Sequence, residues 1–307
     1  MAAIAENFGD LLDPRFRKIF SENYNSIAPK REMLYTMETS TMETERDSSV
    51  GAFGSMPPFT GTIQYDDVTQ GYDTIYTHCE FANGFKIQRR LWDDQQFRIM
   101  DKKPAGLALC AAGTKEEYAA SPFNTAFSGS GTITIAGTIV LSNSEGLSLC
   151  NSSHTSTANS DVQSNTGTSA LSKTSVEAAR KAMRAFKNDR GKFISIMPDT
   201  IVVPPNLEDT AWEIVASKGK PGESSNTANF NEGRYKVMVW DYLTDSNNWF
   251  LADSKQSKNG MLSWTTRIGL EFAMDADFDT MMKKWAAYER YSFGYSDWRF
   301  IYGSQVG

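Results

Sequence analysis

The sequence predicts an α+β fold, and two observations carry this prediction. Residues 174–217 combine helix caps, apolar periodicity and chain breakers in the order helix, strand, helix. Residues 62–88 show the two-residue alternation of successive strands, and further strand signals appear at 132–141, 235–240 and 249–252. Strands that follow one another directly, beside a unit in which strand and helix alternate, indicate mixed layers rather than an all-α or all-β body.

Residues 1–61 lack the apolar periodicity of a packed unit. One short helix is expected at 15–20, with an apolar side. Alternation at strand spacing over 33–47 then indicates an extended segment, and the glycines and prolines of 51–61 indicate turns. The sequence therefore predicts an extended N-terminal arm.

Residues 62–88 predict a hairpin of two strands. Tyr65 leads into Asp66 and Asp67, which suit a turn, and the dipeptide Asn83–Gly84 is a strong second turn signal. Both faces are too polar to be buried within one subunit, so the hairpin is expected to project.

Residues 89–127 are expected to be mainly helical. Asp93 and Asp94 suit a helix N-terminus, where negative charge is favourable. Pro104 and Gly106 interrupt the pattern, which predicts a kink or two helices end to end. Such a segment would be roughly 50 Å long at 1.5 Å per residue.

Residues 174–217 form the best-marked unit. Thr174 and Glu177 have the spacing of a capping box, Gly191 is expected to end the first helix, and Pro204 closes the following strand at 193–203. The first helix has a single apolar stripe of Val176, Ala179, Met183 and Phe186.

The remaining elements are weaker. Asn206 is expected to cap a second helix, and the polar residues of 151–169 and 219–233 indicate surface loops with nothing to bury. After a strand from Thr265, the tail is expected to form a helix at 277–290 and a terminal strand at 298–302.

Composition excludes several functional classes. The 307 residues carry a net charge of -6, which disfavours sequence-unspecific nucleic-acid binding because phosphate affinity comes from Lys and Arg. No run of 18 apolar residues occurs, and the first residues lack the order of a signal peptide, so a chain kept in the cytosol without membrane contact is expected. The three cysteines Cys79, Cys110 and Cys150 suggest reduced thiols.

No catalytic residue, cofactor site or metal site is predicted. His78 and Cys79 are neighbours on a strand and point to opposite faces, and His154 is expected to be solvated in its polar loop. Nucleophile-elbow, phosphate-loop and dinucleotide motifs do not occur. The adjacent acids Asp66–Asp67 and Asp93–Asp94 suit solvated or capping roles, although the paired carboxylates of a carbohydrate hydrolase stay open.

The order of these parts resembles the major capsid protein of tailed phages, which has the Hong Kong 97-type fold. Several stretches are similar, more narrowly, to the Mu-like major head subunit family. They are the run 72–85 leading into Arg89-Arg90-Leu91-Trp92-Asp93-Asp94, then Ile201-Val202-Val203-Pro204-Pro205, Trp249-Phe250-Leu251-Ala252-Asp253, Gly294-Tyr295-Ser296-Asp297-Trp298 and Tyr302-Gly303-Ser304.

The resemblance implies a division of the chain, in which an arm and an E-loop pack on neighbouring subunits and a long spine helix supports the peripheral domain. The implied parts are an N-terminal arm at 1–61, the E-loop hairpin at 62–88, the peripheral domain with the spine helix at 89–150, a mainly axial domain at 151–260 and a C-terminal return to the peripheral domain at 261–307.

The function implied by the resemblance is a non-enzymatic head protein that self-assembles into hexamers and pentamers of an icosahedral shell. The shell would enclose double-stranded DNA without sequence-specific binding, form in the host cytoplasm, and meet portal, scaffold and decoration proteins. Residues for a covalent cross-link are not assigned. The candidate subunit-interface residues are Tyr65, Asp66, Asp67, Tyr72, Arg89, Arg90, Asp93 and Asp94.

Two alternatives stay open beside the phage shell. An encapsulin-like compartment would keep the fold and hold protein cargo, so nucleic acid in purified particles separates it from a phage head. A monomeric carbohydrate hydrolase would be a compact monomer in which the arm and hairpin are protected from protease.

Overall fold

The computed structural model describes residues 12–63, 65–159, 161–219, 229–277 and 279–307. The start of the predicted arm and most of the polar loop predicted at 219–233 therefore lie outside the described residues. The helices are α1 (Leu12–Asn25), α2 (Arg89–Asp93), α3 (Phe97–Met100), α4 (Lys102–Asn124), α5 (Lys173–Arg184), α6 (Glu208–Ala216) and the single turn α7 (Ser254–Gln256). The strands are β1 (Thr36–Thr39), β2 (Thr44–Val50), β3 (Gln70–Thr77), β4 (Cys79–Gln88), β5 (Thr132–Ile135), β6 (Thr138–Asn143), β7 (Thr166–Gly167), β8 (Thr200–Val203), β9 (Lys236–Val239), β10 (Trp249–Ala252), β11 (Leu262–Asp277), β12 (Met282–Tyr295) and β13 (Ile301–Ser304). The α+β class is confirmed.

A five-stranded sheet with the order β7-β13-β10-β8-β9 holds the centre of the largest core. β8 and β10 are buried along their whole length, as continuous apolar runs covered on both faces must be. Helix α5 packs against β10 and β13, and α6 packs against β8 and β9. The predicted order of helix, strand and helix over 174–217 is confirmed.

Helix α5 begins two residues earlier than the capping-box spacing predicts. Ser172 is the cap: its Oγ accepts from the amide of Ser175 at 3.2 Å, and Ser175 Oγ accepts from the amide of Ser172 at 2.9 Å. Glu177 instead pairs with Lys173, one helical turn back, at 3.7 Å. The helix also ends before Gly191, which lies in a later turn with φ of 73°. The apolar stripe itself is confirmed, since all four of its residues are buried.

A four-stranded sheet with the order β1-β11-β12-β4 forms the second layer. Its long hairpin, β11–β12, occupies the 277–290 segment, so the helix predicted there is wrong. Trp285, Ala287, Glu289 and Tyr291 are buried at two-residue spacing along β12. Pairing on both sides, with β11 and β4, overrides the helix propensity of this Met-, Lys- and Ala-rich stretch.

The hairpin predicted within 62–88 is wrong in its pairing. Asn83 and Gly84 do not turn, because they lie inside β4 and pair with Ala287 and Ala286 of β12. β3 pairs instead with β2 and β6, in a third sheet of order β2-β3-β6-β5. Only His78 separates β3 from β4, so the chain passes from one sheet into another at that residue.

The break in the helical segment lies upstream of Pro104. Helices α2, α3 and α4 follow one another, and Gln95, with φ of 50°, lies at the first break. Pro104 is in the first turn of α4, where its missing amide removes no helical hydrogen bond. The expectation of helices end to end is confirmed, with a different cause.

The N-terminal helix is confirmed and is longer than predicted. Phe16 and Phe20 of α1 are buried, and the Phe16 ring lies 5.0 Å from the ring of Trp285. α1 also packs along α4. This part of the arm is therefore fixed to its own subunit.

Candidate assembly surfaces

The connection between β2 and β3, residues 51–69, is the most apolar exposed segment of the described chain. We call it the 51–69 loop. Its base is closed by the amide of Gly51, which donates to the carbonyl of Thr69 at 2.8 Å. Its large apolar side chains, together with Val50 at its start, are 67–95 % exposed: Val50, Phe53, Met56, Phe59, Ile63 and Tyr65. An exposed apolar cluster of this kind marks an interaction surface.

Sequence reasoning missed most of this segment. The glycines and prolines of 51–61 predict turns, whereas the exposed residues Phe53, Met56 and Phe59 among them are the ones that indicate a function. Their three-residue spacing would suit a helix face, but Pro57 and Pro58 prevent a helix there, so no element gives them a buried side. Large apolar residues in a turn-rich stretch were the available signal.

Four predicted interface residues lie in or beside the 51–69 loop. Tyr65 is 92 % exposed. Asp66 accepts from the amide of Gly54 at 2.6 Å, a bond that is the main cause of the lowered pKa of the Asp66 carboxyl. Asp67 accepts at its side chain from the amide of Val68 at 2.9 Å. Tyr72 lies on β3, where its hydroxyl is 2.8 Å from Thr155 Oγ1.

The other four predicted interface residues, Arg89, Arg90, Asp93 and Asp94, lie on and just after α2 and are exposed. Arg89 Nε is 3.5 Å from Asp93 Oδ2, a one-turn pair on the helix. The eight candidates therefore lie in two separate places. Four are in the 51–69 loop or on β3, and four are on or just after helix α2.

Buried charges fix the N-terminal segment to its own subunit. Arg31 Nη1 is 2.7 Å from Glu116 Oε1 of α4. One residue earlier on α4, Lys115 Nζ lies 2.5 Å from Glu289 of β12 and donates to the hydroxyl of Tyr24 at 2.9 Å. Burial raises the pKa of the Glu289 carboxyl, and the neighbouring Lys115 opposes that rise. This network ties together the arm, the long helix and the four-stranded sheet.

His154 is buried, so the expectation that it is solvated is wrong. Its ring stacks on Trp298 with centroids 4.3 Å apart, and its Nδ1 lies 3.0 Å from Glu145 Oε1. Asn165 of the same 151–169 stretch is also fully buried, with its amide bonded to the carbonyls of Leu149 and Ile301. The polar loop thus packs through hydrogen bonds, which a search for apolar residues does not detect.

A cleft of 230 Å³ beside the 51–69 loop collects three carboxylates, those of Glu145, Asp189 and Asp297. Each has a structural partner. Glu145 accepts from the amide of Thr155 at 3.2 Å, Asp189 from the amide of Ala52 at 3.0 Å, and Asp297 pairs with Arg299 at 2.7 Å. In the described ranges, no group of three or more His, Cys, Asp or Glu side chains is arranged to hold a metal ion. Nor does any described helix have the length and apolarity needed to cross a membrane.

Comparison with solved structures finds the same fold in phage shells. The procapsid of bacteriophage JBD30 matches with a TM-score of 0.53 and 14 % identity, over 99 % of this chain and 77 % of that one. The structure titled Mycobacterium phage Patience matches with a TM-score of 0.56 and 10 % identity, over 95 % and 86 %. The capsid of a native GTA particle matches with a TM-score of 0.51 and 14 % identity, over 92 % and 91 %. These likenesses show the fold.

The sequence itself matches a family over most of its length. A search of curated proteins finds no match. The family model described as phage capsid protein matches residues 72–304, from β3 to the last residue of β13. The narrower likeness to Mu-like head subunits stays a prediction. The chain belongs to the phage capsid protein family, has the Hong Kong 97-type fold and is a major capsid protein.

Proposed function

We propose that this major capsid protein self-assembles into hexamers and pentamers of an icosahedral shell that encloses double-stranded DNA, and that it has no catalytic role. The observation that carries the proposal is the 51–69 loop, which exposes Phe53, Met56 and Phe59 where its own subunit offers no cover. Aromatic residues and Met are enriched where subunits meet. In a shell, the cover would come from another copy of the chain.

We also propose a revised division of the chain. The projecting E-loop is β2, the 51–69 loop and β3, because these pair as a hairpin whereas 62–88 does not. The peripheral domain is the long helix α4 with the four-stranded sheet, and the axial domain is the five-stranded sheet with α5 and α6. The tail is shared, since β11 and β12 lie in the sheet of order β1-β11-β12-β4 and β13 lies in the five-stranded sheet.

The proposed interface joins the eight sequence candidates to the exposed apolar residues of the 51–69 loop. Tyr65, Asp66 and Asp67 would act within the loop, and the exposed charges of α2 would form a second contact. Net acidity favours enclosure of DNA without tight binding, because like charge repels the phosphates. We propose assembly in the host cytoplasm, with portal, scaffold and decoration proteins as the partners that the family resemblance implies.

Electron microscopy with light scattering on the purified chain tests this function. Wild-type protein should form closed shells, tubes or rings of five or six subunits. The variant F53Q/F59Q should lose these particles and keep its melting temperature, because both side chains are exposed and contribute little to the core. F230Q, at a comparably exposed aromatic residue outside the 51–69 loop, is the control and should still assemble.

The same particles discriminate the alternatives. Particles made in cells and containing nucleic acid would support a phage head, and particles with protein cargo alone would favour an encapsulin-like compartment. A wild-type chain that stays monomeric at high concentration, with a protease-resistant 51–69 loop, would contradict the assembly proposal and favour the monomeric alternative.

A further inference from the structure

The 51–69 loop is held to its own subunit by one distant turn, residues 188–192. The amide of Ala52 donates to both carboxylate oxygens of Asp189, at 3.0 and 3.1 Å. Arg190 Nη2 lies 3.2 Å from Asp66 Oδ1 and also donates to the carbonyl of Asp67. We call these contacts the clasp. They join segments that are more than 120 residues apart in sequence.

Because Gly51 and Gly54 have no side chain, the carboxylates of Asp189 and Asp66 can lie close to the loop backbone. A Cβ on Gly51 would lie 2.4 Å from Asp189 Oδ2 and 2.8 Å from the carbonyl of Thr69. A Cβ on Gly54 would lie 2.7 Å from Asp66 Oδ2. Real Cβ atoms do not approach other atoms so closely, so a side chain at Gly51 would push Asp189 and the loop backbone apart, and one at Gly54 would displace the Asp66 carboxylate. The loop backbone and the 188–192 turn are therefore closely packed at Gly51 and Asp189.

The turn itself is held in place by several hydrogen bonds. Asn188 Oδ1 accepts from the amides of Arg190 and Lys192, at 3.0 and 2.9 Å. The carbonyl of Lys187, just before the turn, accepts from Gln163 Nε2 and from Arg299 Nε, each at 3.1 Å. Lys192 reaches back to the loop, where its Nζ donates to the hydroxyl of Ser55.

The clasp holds the loop at Ala52, Asp66 and Asp67 and leaves its large apolar side chains uncovered. Phe53, Met56 and Phe59 stay 69–95 % exposed while the clasp is closed. If the clasp inhibited assembly, it would have to cover these apolar side chains, and it leaves them exposed. Fixing the loop before it meets another copy removes conformational entropy in advance, and pre-organisation of this kind strengthens association.

We propose that Asp189 and Arg190 are positioning residues for assembly, which pre-organise the 51–69 loop so that its apolar face meets a second copy of this chain. This inference rests on the proposed function. It assigns to the 188–192 turn a role in assembly that acts through the position of the loop.

Hydrogen exchange and assembly on the same variants test the inference. In D189A the amide of Ala52 should exchange about tenfold faster in free subunits, because its carboxylate acceptors are gone. The concentration at which D189A and R190A begin to assemble should rise at least about fivefold, because the loop must then be ordered at the moment of docking. Circular dichroism melts should match wild type.

The control is K181A, a basic residue on the exposed face of α5 outside the clasp. It should leave both readouts unchanged. Unchanged or easier assembly by D189A and R190A would overturn the inference while leaving the proposed function in place. A wild-type chain that stays monomeric at high concentration, with a protease-resistant 51–69 loop, would overturn the proposed function, and the inference with it.

Discussion

Arg31 and Glu116 form a buried ion pair that joins the N-terminal segment to the long helix α4. Arg31 Nη1 lies 2.7 Å from Glu116 Oε1, and the Arg31 amide donates to Glu116 Oε2 at 3.2 Å. The Arg31 guanidinium also lies 5.3 Å from the centroid of the Trp264 ring. One carboxylate thus satisfies both the side chain and the backbone of Arg31, so its removal leaves a charge and an amide without a partner.

The first prediction concerns this pair. E116A should lower the free energy of unfolding by about 3–5 kcal/mol, because it leaves the Arg31 charge buried and unpaired. Urea denaturation measures the change. The double variant R31M/E116L, which removes both charges, should be much closer to wild type. A loss below about 1 kcal/mol in E116A would show that the pair is solvated.

The second prediction concerns His154. H154A loses the stack on Trp298 and the bond to Glu145, and should reduce the stability of the subunit by about 2–4 kcal/mol. H154F keeps an aromatic ring against Trp298 and should lose distinctly less. Thermal melts of the two variants measure this difference. Equal losses of stability in H154A and H154F would mean that stacking on Trp298 contributes nothing.

The third prediction concerns pH at the tip of the long hairpin. Hydrogen bonds from Lys284 and Thr280 lower the pKa of Asp277 to about 2 from its ordinary 3.8. Because the folded pKa is the lower one, the contribution of the carboxylate is complete above pH 3.8 and is lost as pH falls toward 2. A carboxyl titration by NMR should show this value, and K284M should move it back upward.

Its control is K181M, which removes a lysine from α5 and should leave the titration of Asp277 unchanged. An ordinary Asp277 pKa in the wild-type chain would mean that the hairpin tip is not closed by Lys284.

The fourth prediction concerns the thiols. Cys79 and Cys150 are buried and Cys110 is exposed. Burial raises the pKa of both buried thiols, so little reactive thiolate forms there. A thiol reagent should label one cysteine per chain rapidly in the native state and three after denaturation. C110S should abolish the rapid phase, and a second rapid thiol would indicate that the core opens.

Local patterns predicted the parts of the fold that local chemistry decides. The buried stripe of α5 and the strand β8 ended by Pro204 follow from spacing and from a missing amide donor. The cap was misplaced by two residues because Ser172 and Ser175 satisfy the first turn as well as Thr174 and Glu177 could. Where several residues in a row could each cap the helix, tertiary packing decides which of them does so.

Distant pairing caused the larger errors. Residues 282–295 contain good helix formers, and only β4 and β11 on either side make them a strand. The dipeptide Asn83–Gly84 predicts a turn, but pairing with β12 keeps both residues in an extended strand. Of the candidate interface, the exposure of Tyr65 could be expected from its polar surroundings, whereas the clasp between Asp189 and the loop depends on a contact 137 residues away.

The strand order of two sheets, β1-β11-β12-β4 and the five-stranded sheet, also sets when a newly made subunit can finish folding. β4 pairs with β12, so Gln88 can pair only after Met282 has been synthesised. β7 pairs with β13, so Thr166 can pair only after Gly303 has been synthesised. Contacts this far apart in sequence form late, so the two sheets close only after β12 and β13, respectively, have been made. A subunit cut short by a premature stop would lack a closing strand and would be excluded from the lattice of intact copies.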